Sequence, residues 1–541
     1  MGRSSFLHRS LGAALAAAAL LAGTPALALD TDDAPQATAP ADLVTDGEPA
    51  GGATPAPAVD PTAALAARLD ALEKRNAELE AQVQRLSAVE AKPAPKADPA
   101  AAKVSLANGR PTFASADGRF TASLRGFFQL DASRFDQRRP GPLASDFRRG
   151  SLGDAAEADR ARDLGDGTNF RRARIGVEGK AFGDWDYNFL FDFGGSGVES
   201  SGVINQAWLQ YGGLKNAKLR VGAFAPPAGL DDATSVTQNQ FIERAAVSEL
   251  VRGLAGADAR VGAGVLAAGE RWNASAVVTG ATVGQQSFDE QLGFVGRAVF
   301  APIKSAKTVV HLGVNTSQVI NPPAAGPDVP PVGAAQNVRL RERPENRVES
   351  VRLVDTGNID ADGVSALGLE AAAQHGPLTV QGEYQTIKVE RRNSTLSDPR
   401  FDGWYVQAGW TLFGPPRKYS MSSASFEAPK VEKPFNLKTG DWGVWEVGAR
   451  YSVLDLNSRE GAAGAAPPVN GVRGGEQKIA TLGVNWAPNN TVRFQATLQD
   501  VEVDRLSPGG TAFGAGALTP PAGAQVGQKF KIWTVRAQYA F

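Results

Sequence analysis

The most constraining feature of this sequence is an alternation of apolar and polar residues that recurs from about residue 118 to the C-terminus. The final segment, WTVRAQYAF at 533–541, places Thr534, Arg536 and Gln538 between apolar residues. The segment RRARIGVEG at 171–179 alternates in the same way. Successive side chains of a β-strand point to opposite faces, so each segment predicts a strand with one apolar and one polar face.

Segments of this kind recur along the chain, and most are about ten residues long. They lie at 120–135, 170–182, 186–194, 203–211, 218–224, 258–266, 272–279, 291–300, 307–315, 365–373, 377–389, 403–413, 443–453, 478–486 and 491–499. Short turns such as 182–184 and 487–490 alternate with long loops rich in Gly, Pro and charged residues. Short turns at one end and long loops at the other are typical of outer-membrane barrels.

The N-terminus predicts export across a membrane. Arg3 and Arg9 form a positive region, and the apolar core at 11–23 is too short to span a bilayer. A small-x-small site follows, so residues 1–28 are predicted to be a signal peptide; a buried N-terminal helix is the alternative. No later stretch has about 18 uninterrupted apolar residues. An exported chain without such a helix can still span a membrane as a closed β-barrel.

Residues 118–541 therefore predict an all-β fold, a transmembrane antiparallel β-barrel. At roughly 10 residues per strand plus loops, this length accommodates about 16 strands, within a range of 16–18, and such a barrel leaves an aqueous channel. A soluble β-sandwich or β-propeller is the alternative. Neither needs so many long strands or an unpaired C-terminal Phe.

The charged face of these strands is predicted to point into the barrel, because Arg or Lys on the lipid face costs about 2–4 kcal/mol near the midplane. Ala173, Ile175 and Val177 then face lipid. The basic residues that this parity assigns to the interior are Arg125, Arg172, Arg174, Lys180, Arg220, Arg260, Arg297, Arg450, Lys478, Arg493 and Arg536. Acidic residues assigned to the interior are Asp131, Glu178, Asp192, Glu370, Glu383 and Glu446. The basic residues could concentrate anions or merely pair with these acids.

The segment before the barrel predicts a coiled coil between two linkers. Residues 29–61 and 91–117 are rich in Ala and Pro and are expected to be linkers. Residues 62–90 carry a heptad seam. Its members are Leu65, Leu69, Leu72, Asn76, Leu79, Val83 and Leu86. An Asn at this core position favours two strands in an isolated peptide, and a single amphipathic helix is the alternative.

Composition excludes several classes of site. The chain has no Cys, and His311 and His375 are the only histidines after the leader. We therefore expect no metal site, no cofactor and no His-centred catalytic triad, and so no enzyme. The formal net charge of −1 gives no sign of a nucleic-acid partner.

Several stretches resemble the phosphate-selective porin O and P family of Gram-negative outer membranes. The resemblance covers essentially all of 118–541 and is carried by the order of its motifs. These are FRRARIGVEGKAFGDWDYNFLFDFG, LRVGAFAPPAGLDDATSVTQNQFIERA, RPENRVESVRLVDTGNID, GEYQTIKVERR, FDGWYVQAGWTLFG, WGVWEVGARYSVLDLN and TLGVNWAPNNTVRFQ. The chain departs from the family at 413–419, where an acidic residue often present in relatives is missing.

This resemblance implies a homotrimer of 16-stranded barrels in the bacterial outer membrane. It also implies an inward-folded loop after strand 218–224, at 226–245 and including Arg244, and a ladder of arginines leading an anion to a constriction. We accordingly expect a channel for small, phosphate-like anions, surrounded by outer-membrane lipid, with the coiled coil in the periplasm. The C-terminal Phe541 is expected to be recognised by the barrel-assembly machinery.

Three other functions compete with this interpretation. They are a general porin of low selectivity, a structural or adhesive anchor in which the barrel is a plug, and a barrel enzyme.

Overall fold

A computed structural model describes residues 61–90, 102–107, 109–137, 164–195, 201–326, 334–509 and 521–541. The chain divides into two compact units, Met1–Ala101 and Ala102–Phe541. The predicted signal peptide at 1–28 and nearly all of the linker at 29–61 lie outside the described residues. The described part of the first unit is one helix, α1 (Pro61–Glu90).

The coiled coil itself stays a prediction. Leu69, Leu72, Leu79 and Val83 of its predicted seam are all at least half exposed on the single helix. A seam of this kind is buried only against a partner helix.

The described part of the second unit is dominated by β-strands and has two further helices. The helices are α2 (Leu230–Ala233) and α3 (Ala246–Ala255). The strands are β1 (Lys103–Ala107), β2 (Arg110–Ala114), β3 (Thr121–Asp136), β4 (Gly167–Ala181), β5 (Trp185–Asp192), β6 (Val203–Leu214), β7 (Ala217–Phe224), β8 (Arg260–Ala268), β9 (Trp272–Thr282), β10 (Leu292–Lys304), β11 (Thr308–Asn321), β12 (Asn337–Val338), β13 (Arg341–Glu342), β14 (Val354–Asp355), β15 (Ile359–His375), β16 (Leu378–Arg391), β17 (Arg400–Phe413), β18 (Lys418–Ser420), β19 (Ser425–Glu427), β20 (Val444–Ser458), β21 (Val472–Ala487), β22 (Val492–Asp504) and β23 (Lys529–Ala540).

Sixteen of these strands form a closed antiparallel barrel. They are β3–β11, β15–β17 and β20–β23. Each pairs with the next, and β23 closes the barrel on β3, with Tyr539 opposite Phe128. Closure leaves no unpaired sheet edge along the barrel wall, as a membrane-spanning sheet requires. The predicted fold class and strand number are confirmed. Among the described residues, no helix is long and apolar enough to cross a bilayer.

Part of the segment expected to be linker, 91–117, is a β-hairpin in the structure. Strands β1 and β2 pair with each other, and Thr112 of β2 lies opposite Ser123 of β3. The two strands are only five residues each and extend the sheet at the end of the barrel that carries the short turns. Their shortness explains why alternation alone did not reveal them.

The two faces of the barrel wall differ as predicted. Leu369 and Leu482 point outward and are each 59% exposed, as is typical of a lipid-facing surface. Inward-facing Glu370 and Thr481 beside them are buried. Trp445 and Trp486 stack at one rim of the outer face, 5.5 Å between ring centroids, where aromatic residues commonly lie at the interface of a membrane.

The interior is filled by loops. The segment 225–259 between β7 and β8, which we call the inward loop, carries α2 and α3. Helix α3 buries Val247, Leu250 and Val251 in an apolar cluster with Leu353 of the β11–β15 loop and with inward-facing wall residues such as Ile479. This cluster occupies one side of the barrel interior, so open space is left to the other side.

Candidate functional site

The inward loop is fitted to the opposite wall through small residues. The Gln240 side chain donates to the carbonyls of Ala408 and Val447, at 3.4 and 3.3 Å. It lies where a side chain on Gly409 or Gly448 would clash, 2.0 and 2.4 Å from the position of an added Cβ. Two glycines on neighbouring strands therefore form the notch that receives the loop.

A cluster of arginines from the barrel wall converges on one carboxylate of this loop. Arg171 Nε donates to Glu243 Oε1 at 2.8 Å, and Arg536 Nη2 donates to the same oxygen at 2.9 Å. Arg536 also forms two bonds, of 2.6 and 2.7 Å, to Asp131. Arg172 lies beside them and donates to Gln129 at 2.8 Å. All of these charged residues are buried, so the cluster holds the loop against the wall.

Arg171 was missed by the sequence analysis because parity places it on the lipid face with Ala173. A β-bulge opposite Gln129 and Leu130 adds one residue to β4 at this point. The bulge turns both Arg171 and Arg172 inward, since two residues of the bulged strand face one on its partner. Three arginines in four positions are the only sequence signal of this break.

A second ion-pair network joins the wall to α2 and to the C-terminal end of α3. Arg174 pairs with Asp192 at 2.6 Å and with Asp258 at 2.9 Å. Arg252 also pairs with Asp258, at 3.0 Å, and with Asp232 at 2.6 Å. The network thus connects strand β4 to the inward loop.

Glu249 of α3 extends this network. Arg347 donates to it at 2.7 Å, and Arg244 lies 3.6 Å away. Burial raises the pKa of Glu249, but the positive charges of Arg252, Arg347 and Arg244 outweigh burial and lower this pKa to about 2. The carboxylate therefore stays charged and keeps its arginines neutralised.

A further segment enters the barrel from the end that carries the short turns. Residues 414–443 connect β17 to β20 and contain a hairpin, β18–β19, which we call the inserted hairpin. Arg297 holds it by donating to the Ser423 and Ala424 carbonyls at 2.8 and 2.9 Å, while forming a paired contact with Glu370. Tyr419 of the hairpin hydrogen-bonds His311 Nδ1 at 2.6 Å.

Other predicted basic residues also hold structure together. Arg493 lies 3.5 Å from Glu446, which Arg417 contacts at 2.7 Å. Arg450 pairs with Glu345 of the β11–β15 loop. Arg260 is buried and donates to two backbone carbonyls.

The open space of the interior is a cavity of about 560 Å³. It is bounded by the inward loop, by the β6–β7 turn and by strands on one side of the barrel, so it runs from the loop toward the short-turn end. Its basic lining residues are Arg125, Arg174, Lys218, Arg220, Arg244 and Arg252. Its acidic lining residues are Asp232 and Asp258. The lining therefore carries an excess of positive charge.

Two of these cations form no salt bridge among the residues that the structure describes; Asp186 acts on both electrostatically but is paired with Lys180. Lys218 and Arg220 both project inward from β7. Arg220 donates from Nε and Nη2 to Gln210 Oε1, at 3.0 and 2.7 Å. Its guanidinium carbon lies 4.1 Å from the centre of the Trp208 ring, a cation–π contact that orients the group. Arg125, by contrast, lies 3.2 Å from Glu178.

The predicted interior residues thus separate into two groups. Arg125, Arg174, Arg220 and Arg244 line the cavity. Those that instead hold loops or the inserted hairpin are Arg172, Arg260, Arg297, Arg450, Arg493 and Arg536. Lys180 is half exposed at the rim and pairs with Asp186 at 3.0 Å. Lys218 and Arg252 were missed, although parity along β7 gives Lys218 the same face as Arg220.

The prediction for Lys478 is wrong. Its neighbour Ile479 is fully buried inside the barrel, and Lys478 faces outward near the loop end of β21. It pairs there with Glu476 at 2.6 Å. A charged side chain on the outer face costs little free energy close to the membrane interface. The cost of charge in lipid therefore predicts the direction of a side chain less well toward the ends of a strand.

A closed sixteen-stranded barrel with a lipid-type outer face and a polar, loop-narrowed interior defines an outer-membrane channel protein. The family model for phosphate-selective porin O and P matches residues 145–541, and the chain belongs to this family. It is accordingly a porin of the bacterial outer membrane and not an enzyme.

The chain is similar to one relative in sequence and to several solved structures in fold. Porin O of Pseudomonas aeruginosa is 28% identical over 404 residues, which are 73% of this chain and 86% of that protein. Among solved structures, OmpT of Vibrio cholerae in its trimer form is 11% identical, with a TM-score of 0.45 over 78% of this chain and 99% of that one. The channel DcaP of Acinetobacter baumannii is 10% identical, with a TM-score of 0.40 over 78% and 97%. The last two likenesses concern the fold alone.

Proposed function

We propose that this porin conducts small anions of the phosphate type by passive diffusion through the cavity beside the inward loop. The observation that carries the proposal is the pair Lys218 and Arg220, two cations on one strand that face the cavity and form no salt bridge among the described residues. Fixed positive charge in a narrow passage with walls of low dielectric constant raises the local concentration of anions.

The chemistry of these groups suits phosphate-like solutes. A guanidinium presents a planar set of donors to two oxygens of one anion. Arg220 is held on the Trp208 ring, so it loses little conformational freedom when an anion binds. The family to which the chain belongs is described as phosphate-selective, which supports the same solute class.

The neutralised arginines keep solute binding moderate. Arg174, Arg244 and Arg252 line the cavity but share Asp232, Asp258 and other carboxylates. In a channel, binding must be strong enough to admit the solute and weak enough to release it. Of the predicted contact residues, we propose that Arg125, Arg174, Arg220 and Arg244 meet the passing anion.

The assembly is proposed on separate grounds. We infer a homotrimer in the outer membrane, with α1 forming a coiled coil in the periplasm, from the family resemblance and the exposed seam of α1. We also infer that Phe541 is presented to the barrel-assembly machinery. In the folded barrel, Phe541 exchanges backbone hydrogen bonds with Gly126, at 3.0 and 3.4 Å, so recognition would precede closure.

Reversal potentials in a salt gradient test the proposal. The double variant Lys218→Gln, Arg220→Gln should lose most of the anion preference of the wild type, because it removes the two charges of the cavity lining that form no salt bridge among the described residues. Lys529→Gln, on the exposed outer face, is the matched control and should leave the reversal potential unchanged.

Two results would contradict the proposal. One is an unchanged reversal potential in the double variant, and the other is a wild-type channel that prefers cations. Comparing conductance in chloride with conductance in phosphate then separates a phosphate-type channel from a general porin of low selectivity. A barrel that never conducts would instead favour a structural anchor.

A further inference from the structure

A single carboxylate of the barrel wall collects four hydrogen bonds from the inward loop and its surroundings. Glu383 on β16 accepts from the backbone amides of Leu230 and Asp231, at 2.8 and 2.9 Å. It also accepts from Ser248 Oγ at 3.3 Å and from the Tyr405 hydroxyl at 2.8 Å. One side chain therefore contacts both α2 and α3.

Glu383 differs from the other carboxylates that hold the inward loop. It is 3% exposed, and within the described part of the chain no cation forms an ion pair with it. A buried carboxylate is costly unless its oxygens are satisfied, and here uncharged donors alone satisfy them. Because hydrogen bonds act over short distances and limited angles, four of them on one carboxylate fix the position of the loop closely.

The loop approaches Glu383 at a glycine. A Cβ on Gly229 would lie 2.3 Å from Glu383 Oε1, well inside contact distance. The backbone of Gly229 is extended, so the requirement for glycine comes from space and not from backbone strain. The carboxylate could avoid the added methyl only by turning away from the amides of Leu230 and Asp231.

The helix held in this way forms one wall of the cavity. Leu230 packs with Tyr419 and Phe426 of the inserted hairpin, and Ser425 Oγ donates to the Ala233 carbonyl at 3.3 Å. Residues 232–236, which are the last two residues of α2 and the three that come after it, line the cavity. Any displacement of α2 away from Glu383 therefore moves the cavity wall.

We propose that Glu383 and Gly229 form a clamp that positions the inward loop and so sets the width and the anion preference of the passage. Glu383 is a positioning residue in this scheme, since it does not line the cavity itself. The effect on anion preference rests on the function proposed above, whereas the clamp does not.

A double-mutant cycle tests the clamp in full-length protein reconstituted in planar bilayers. Glu383→Ala removes the acceptor, and Gly229→Ala forces the two groups apart. Each should broaden the distribution of single-channel conductance and weaken the anion preference. Because both break one contact, Gly229→Ala should have no further effect in the Glu383→Ala background.

Controls keep the result specific. Gly253→Ala is the matched glycine control, because nothing lies within 4 Å of a Cβ added there. Glu502→Ala removes a carboxylate from the outer face. Heat-modifiable mobility on gels reports folding, and if Glu383→Ala does not insert, Glu383→Ser replaces it in the cycle, since serine also removes the carboxylate atoms that face Gly229.

The outcomes are distinguishable. Equal effects of Gly229→Ala in the two backgrounds would overturn the clamp. If the wild type shows no anion preference but the two positions are still coupled in conductance, the clamp stands and the proposed solute class fails.

Discussion

Arg171 shows how a single residue can depart from the pattern of its strand. The alternation of β4 assigns it to lipid, where an arginine would cost about 2–4 kcal/mol at the midplane. The bulge opposite Gln129 and Leu130 removes that cost by turning the side chain inward. Inside the barrel, it meets Glu243 of the inward loop, so the cost of the bulge is offset by a loop contact.

Replacing Arg171 with Ala should destabilise the barrel. Breaking a buried pair costs about 3–5 kcal/mol, and the low end, about 3 kcal/mol, applies here since Arg536 remains on Glu243. Urea unfolding in detergent, followed by tryptophan fluorescence, gives the free energy of unfolding. Lys180→Ala at the rim should stay within about 0.5 kcal/mol of the wild type. An equal loss in both variants would refute the role assigned to the Arg171–Glu243 pair.

At the scale of elements, the inserted hairpin is the least regular part of the barrel. The other connections at its end are short, such as 182–184 and 376–377, whereas 414–443 is long enough to fold back inside. The hairpin packs Tyr419 and Phe426 against α2 and satisfies its tip carbonyls with Arg297. Its tip residues Ser422 and Ser423 line the cavity, so the hairpin narrows the passage beside the inward loop.

Replacing 418–427 with two glycines should raise the single-channel conductance, because the hairpin occupies volume beside the cavity. The chain can be closed in this way since Lys418 and Glu427 are paired neighbours. Planar-bilayer recording measures the change. Replacing the ten loop residues 461–470, most of which are exposed, in the same way is the control. If both deletions leave the conductance at the wild-type value, the hairpin does not bound the passage.

At the scale of the whole molecule, the barrel reverses the usual arrangement of a soluble protein. Large apolar side chains such as Leu369 and Leu482 are exposed on its outer face, while arginines such as Arg297 are fully buried inside. The interior tolerates so much charge because most of it is paired. Positive charge without a salt bridge faces the cavity at Lys218 and Arg220, where water and solute have access, whereas buried Arg260 donates to backbone carbonyls.

This arrangement predicts that an arginine placed on the outer face lowers the stability of the barrel more, the closer it lies to the middle of the membrane. Leu369 lies six residues from the turn end of β15, about 20 Å along the strand, which is near mid-membrane. Leu369→Arg should lower the free energy of unfolding by about 2–4 kcal/mol, and His375→Arg on the same face at the strand end by about 0–1 kcal/mol. If the two variants lose the same free energy of unfolding in lipid vesicles, this face does not contact the bilayer.

Much of the fold could be predicted because strand alternation is local. The pairing of apolar Ala173, Ile175 and Val177 on one face follows from the sequence alone, and so does the number of strands. The roles of the arginines could not be predicted in the same way. Arg172 and Arg220 have the same parity, yet one is buried under the inward loop and the other faces the cavity.

The sequence by itself determined the barrel and its two faces, since the period of side chains along a strand and the cost of charge in lipid depend only on local order. Only the tertiary structure decided which charges remain unpaired. Glu243 lies 72 residues from Arg171, and Asp131 lies 405 from Arg536. Ion pairing acts through space, so neutralisation and the position of the passage emerge only when the loops and the wall are brought together.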